Sequence, residues 1–106
     1  MTNENTEALR ARVIEALRKV YDPELPVNIY DLGLIYDLNV HPSGQVDVRM
    51  TLTTPNCPVA QSFPDTVEYM LMRVPGVSDV QVELVWEPPW HREMMNEAAA
   101  LQLGML

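Results

Sequence analysis

The sequence predicts an α/β chain of the two-layer α+β kind, in the order α-β-β-α-β-α, with helices packed on a small mixed three-stranded sheet. Apolar residues recur at helical spacing in two segments and alternate with polar ones in three others, a last segment is rich in helix formers, and prolines and glycines fall between them. At 106 residues the chain has length for one modest core and shows no long repeat. We therefore read residues 1–106 as a single domain, its core at about 8–86 and a C-terminal helical extension at 90–104.

In the first helix Asn5 or Thr6 can cap, and Leu9, Val13, Leu17 and Val20 form the apolar stripe, with Arg10, Arg12, Glu15, Arg18 and Lys19 on other faces. It must end near Tyr21, because Pro23 disfavours helical geometry at Asp22 and cannot donate the next bond. The stretch from Asp22 to Gly33, which holds Pro23 and Pro26, reads as an ordered connection. Leu34, Tyr36, Leu38 and Val40 then alternate with polar neighbours, His41-Pro42-Ser43-Gly44 supplies a turn, and Val46, Val48, Met50 and Leu52 return as the hairpin partner. After a loop around Cys57, the residues Val59, Phe63, Val67, Met70 and Val74 share a helical stripe closed by Pro75-Gly76. Pro58 marks the start of this helix and Pro64 predicts a kink in it, with Ser62 and Asp65 capping a main helix from about Phe63. Val80, Val82, Leu84 and Trp86 form a third strand ended by Glu87-Pro88-Pro89, and Glu93 to Leu103 is rich in helix formers up to Gly104. If the second and third strands run parallel, the crossover between them is right-handed.

Fifteen acidic against seven basic side chains leave a formal charge of -8, whose field repels phosphate backbones and excludes nucleic acid as a partner. No apolar run approaches the ~20 residues that span a bilayer, and Met1 to Glu7 lack the features of a signal peptide. The expectation is a cytoplasmic protein that meets no membrane. One cysteine cannot form an internal disulfide, which fits a reducing compartment.

That cysteine, Cys57, lies in Thr53-Thr54-Pro55-Asn56-Cys57-Pro58, between a strand pattern and a helix pattern. Pro58 suits the first position of a helix, which makes Cys57 its N-cap, where unpaired N–H groups and the helix dipole favour thiolate. The competing reading is a small buried hydrophobe, the common fate of a free cysteine. The flanking prolines and polar residues describe a loop mouth and favour the reactive thiol.

The turn after the first helix concentrates acid at Asp22 and Glu24, with Asp31 following before the first strand. Each alone reads as solvated. The sheet layout, however, can bring the end of helix one and the end of strand two to one edge, where Asp22 and Glu24 would meet Thr53, Thr54 and Cys57. Carboxylates raise a thiol's pKa while a helix terminus lowers it, and a bound iron(II) or zinc cation would resolve that conflict. No closed metal site is spelled, since His41 and His91 are far from any Cys/His finger pattern. A Cys-His hydrolase has only His91 as a base and no oxyanion motif, so the chain is expected not to be an enzyme. Met50 and Met70 fall on core stripes, whereas Met94, Met95 and Met105 do not. In Trp86-Glu87-Pro88-Pro89-Trp90 the aromatics either anchor the last helix or form a docking surface, and anchoring is favoured. The alanine- and methionine-rich last helix is one on which a second subunit of a homodimer can pack.

Asp22-Pro23-Glu24-Leu25-Pro26, Ile29-Tyr30-Asp31-Leu32-Gly33-Leu34-Ile35-Tyr36, Thr53-Thr54-Pro55-Asn56-Cys57-Pro58 and Trp86-Glu87-Pro88-Pro89-Trp90, in that order, resemble the SufT and PaaD-like family of iron-sulfur cluster assembly factors. The similarity runs from about residue 9 to residue 104, and the absence of a C-terminal cysteine cluster favours the SufT-like branch. The resemblance implies the iron-sulfur cluster assembly fold and a small non-enzymatic factor that helps deliver clusters to client proteins. It also implies a reactive cysteine at Cys57 and a site that includes Asp22, Glu24, Leu25, Thr53 and Thr54. Pro64 departs from the family's uninterrupted helix. One thiolate cannot hold a cluster that wants four ligands, so any cluster or iron is expected to be transient and none stably bound. The expected partners are assembly proteins and client apo-proteins.

Overall fold

The computed structural model describes residues 2–22, 25–53 and 62–104, with only the backbone for Thr2, Asn3 and Glu4. Helix α1 spans Thr2–Leu17, starting ahead of the expected Asn5 or Thr6 cap. Its stripe packs as read: Leu9, Val13 and Leu17 are buried, and so is Val20 just beyond. Bonds from Lys19 N to Ala16 O and from Val20 N to Leu17 O tighten the chain into turns before Tyr21.

Strands β1 (Ile35–Val40), β2 (Gln45–Met50) and β3 (Asp79–Leu84) form a mixed sheet in the order β1-β2-β3. The β1–β2 hairpin is antiparallel, with Leu38 opposite Val48 and Val40 opposite Val46. β2 and β3 run parallel, pairing Val46 with Val80, Val48 with Val82 and Met50 with Leu84. One sheet face is therefore apolar and lies under the helices, while Asp37, Asn39, Asp47, Arg49, Gln81 and Glu83 line the open face. A register shift between Ile35 and Asp37 breaks the expected alternation around Tyr36, whose hydroxyl donates to Pro88 O at 2.7 Å.

Helix α2 covers Phe63–Met72 and buries Phe63, Val67 and Leu71, followed by Val74. The stripe thus passes through Leu71, and Met70, expected on it, is only half-buried. Pro64 falls in the first turn, where its missing N–H has no intrahelical partner to lose, so α2 opens at Phe63 as expected, while the turn before it, where the kink was expected, lies outside the described residues. Ser62 stands at the N-cap but makes no side-chain cap bond, contrary to expectation. Val59 and the helix start at Pro58 lie outside the described residues.

Sequence periodicity misreads the C-terminal segment most. Instead of one helix from Glu93 to Leu103, a 3-10 turn at Arg92–Met94 is followed by a short α3, Glu97–Gln102. Asn96 divides them, because its side chain accepts from Ala99 N at 2.9 Å and so starts a new helix. The connection after α1 is more than a linker: Val27, Ile29, Leu32 and Leu34 are fully buried and join α1, α2 and the sheet in one core. No helix among the described residues is long and apolar enough to cross a membrane.

Candidate functional site

After α1 the chain reverses tightly. Tyr21 and Asn28 form an isolated antiparallel bridge, Asp22 N donates to Val27 O at 3.1 Å, and Val27 N donates to Leu25 O at 2.8 Å. Within this reversal the Asp22 carboxylate is turned inward, 6% exposed, and accepts from Leu25 N at 2.8 Å. It reaches across the molecule as well, accepting from Thr53 Oγ1 at 3.3 and 3.4 Å. The two residues stand 31 positions apart, and the sheet edge brings them together as the sequence layout predicted.

Thr53 is held there by the strand it follows. Thr51 N donates to Leu34 O at 2.9 Å and Val85 N to Met50 O at 2.7 Å, which carries pairing past the end of β2 on both sides. Thr53 is half-buried, and Leu25, half-buried beside the reversal, packs on the core. Glu24, Thr54, Pro55, Asn56 and Cys57 lie outside the described residues, so the site's described part is Asp22, Leu25 and Thr53. Among the described residues, no group of three or more His, Cys, Asp or Glu side chains is placed to hold a metal ion.

Asp31, grouped with these acids in the sequence, is engaged elsewhere. It is 5% exposed, accepts from Asn28 Nδ2 and Asn96 Nδ2 at 2.8 Å each, and lies 3.6 Å from Arg18 Nε. Burial pushes its carboxyl up, but the two amide hydrogen bonds and the Arg18 charge outweigh that and hold it below its ordinary value. With Asn96 N donating to Asp31 O at 2.9 Å, this cluster clasps the C-terminal segment to the loop before β1. The spacing Asn28-x-x-Asp31 was the available signal, since an asparagine side chain that accepts from a backbone N–H three residues on orders such a turn.

The Trp-bearing turn divides its two roles. Trp90 Nε1 donates to Leu32 O at 2.6 Å and its ring packs on the core, so Trp90 is the anchor that was favoured. Trp86 stays 36% exposed. His91 stands exposed at the N-cap position of the 3-10 turn, its ring 3.9 Å from Glu93, and His41 pairs with Asp47 at 2.9 Å at the hairpin end.

The chain is thus a two-layer α/β domain in which the reversal after α1 is fastened through Asp22 to Thr53, four positions ahead of Cys57. The chain belongs to the family described as "Iron-sulfur cluster assembly protein", which it matches over residues 10–84. It is 48% identical over 104 residues to an Fe-S protein maturation auxiliary factor of Porphyromonas gingivalis, covering 96% of this chain and 99% of that one. It is 42% identical over 86 residues to the Fe-S protein maturation auxiliary factor SufT of Staphylococcus aureus, covering 81% of this chain and 98% of that one. The crystal structure of a domain of unknown function from Bacillus anthracis superimposes with a TM-score of 0.85 at 35% identity, over 98% of this chain and 99% of that one.

Proposed function

We propose that this protein is a non-enzymatic maturation factor that hands iron-sulfur clusters to client proteins, with the Cys57 thiolate as a transient ligand of the cargo. The observation that supports this best is the contact of Asp22 with Thr53. It fastens the acidic reversal to the residue that leads into the cysteine segment, and Cys57 follows Thr53 by four positions, a span of at most ~14 Å. Kinship to maturation factors supplies the class of cargo.

Asp22 and Glu24 set the local charge, and Thr53 orients the Asp22 carboxylate. Release is a ligand exchange without redox change: a client thiol's sulfur bonds the iron as the iron–Cys57 bond breaks, and the proton the client thiol gives up passes to solvent water. Because one thiolate supplies one of four ligands, the remainder come from the donor complex, a second subunit or the client, and the hold is weak enough to let the cluster leave.

Anaerobic reconstitution with iron and sulfide tests the reading by absorption spectra of wild type and Cys57→Ser. A chromophore present in the wild type and lost in the variant is expected. A Cys57→Ser protein that still supports maturation of a client enzyme would instead mark a pure adaptor that never touches the cluster.

A further inference from the structure

A groove of about 400 Å³ runs between α1 and α2, away from the Asp22–Thr53 contact. Its floor is apolar, made by Ala16, Met70 and Val74, and Arg12, Lys19 and Arg73 stand exposed around it. The groove thus gathers three of the chain's seven Lys and Arg residues on a molecule of charge -8.

Two of the chain's arginines, Arg18 and Arg49, are taken up by carboxylates, and among the described residues these three cations are not. Arg18 lies 3.7 Å from Glu15 and 3.6 Å from Asp31, Arg49 lies 3.1 Å from Asp37, and Arg10 donates to Leu38 O at 2.8 Å. Among the described residues, Arg12, Lys19 and Arg73 have no carboxylate within 4.0 Å. Arg12 donates only to Pro75 O at 3.3 Å, and Arg73 lies over the Tyr69 ring at 5.7 Å. The one carboxylate in the lining, Glu15, faces Arg18.

We propose that this groove docks a short acidic segment of a partner protein, with an apolar side chain on the Ala16–Met70–Val74 floor and carboxylates on Lys19, Arg73 and Arg12. An apolar floor rimmed by cations that lack counter-charges among the described residues fits an anionic segment with a hydrophobic anchor. Arg12 on α1 and Lys19 in the turn that follows it are seven positions apart, about 10 Å at helical rise, which matches two acidic residues three apart in an extended segment. A second copy of this chain docked by the same face is the poorer occupant, since it would set the Arg12, Lys19 and Arg73 rim against its own like charges. The surface is independent of Cys57 chemistry.

The probe is a short fluorescent peptide with two glutamates three positions apart flanking a leucine, titrated into the full chain. Saturable, salt-sensitive binding is expected, with amide NMR shifts at Ala16, Met70 and Val74. Lys19→Glu and Arg73→Glu each weaken it roughly fivefold or more, Lys19→Arg keeps it, and Cys57→Ser binds as wild type does. Melting curves confirm that the variants are folded. Absence of saturable binding, equal binding of a peptide with lysines for the glutamates, or indifference to both reversals would overturn the proposal. So would displacement of the peptide by inorganic phosphate, which marks a simple anion site, or concentration-dependent self-association that shifts the same amides.

Discussion

At the residue scale, the clearest oddity is Thr51. Its side chain is fully buried and its hydroxyl has no hydrogen-bond partner among the described residues. A hydroxyl taken from water and left unpaired costs about 1–3 kcal/mol, whereas an apolar group of the same shape costs nothing of that kind. Thr51→Val keeps the β-branched shape that follows β2 and removes only the orphan, so it is expected to stabilise the fold by about 1 kcal/mol and raise the melting temperature by roughly 5 °C. A variant that melts lower would show that the hydroxyl has a use. Residues of this kind also show what the sequence hides. Asp22 and Thr53 were legible as neighbours because strand ends and helix ends share an edge in this layout. Asp31 was not separable from them, because its partners Arg18 and Asn96 are distant in sequence and only tertiary packing reveals them.

At the scale of elements, α1, the hairpin and α2 followed from period and punctuation, since each buries one face and the burial decides its period. The C-terminal segment did not, because it is fastened by specific polar contacts that leave no periodic trace. Trp90 bonds Leu32 O, Asn96 bonds Asp31, and Tyr36 bonds Pro88 O, so residues 86–96 form a strap over the loop before β1. Gly33 is the point where the strap comes closest, with φ +82 and room for no side chain against the Met94 backbone. Gly33→Ala should therefore cost about 2 kcal/mol or more, from left-handed backbone strain plus displacement of Met94. Asn96→Ala loses both the α3 cap and an Asp31 bond, and should cost about 1–2 kcal/mol. In both variants hydrogen exchange should accelerate at Ala99 and Leu103 and remain slow in β2. Equal acceleration in β2 would mean that the strap and the sheet open as one unit.

At the scale of the whole molecule, charge governs the response to pH. Fifteen acidic side chains repel one another at neutral pH, so acidification toward the pI of about 4.5 relieves self-repulsion and should not destabilise the protein. Below that the balance turns on carboxyls held low in the fold, Asp31 first among them, which is lowered from 3.8 by Asn28, Asn96 and Arg18 despite its burial. A carboxyl whose folded pKa is depressed stabilises fully above its unfolded value, and that stability is lost as pH falls through the folded one. Asp47, bonded to Gln45 and His41 at the open surface, shifts in the same direction, but solvent screening makes its share small. Denaturant melts should therefore give a flat stability down to about pH 4 and a steep loss below it. Asp31→Asn should be less stable than wild type at neutral pH by about 1–3 kcal/mol, because Arg18 and the two amides lose their charged acceptor. Its acid limb should also be shallower, since the group that titrates there is gone. If the limb keeps its slope in the variant, the acid transition belongs to other carboxylates, and Asp31 clasps the strap through hydrogen bonds whose strength does not depend on its charge.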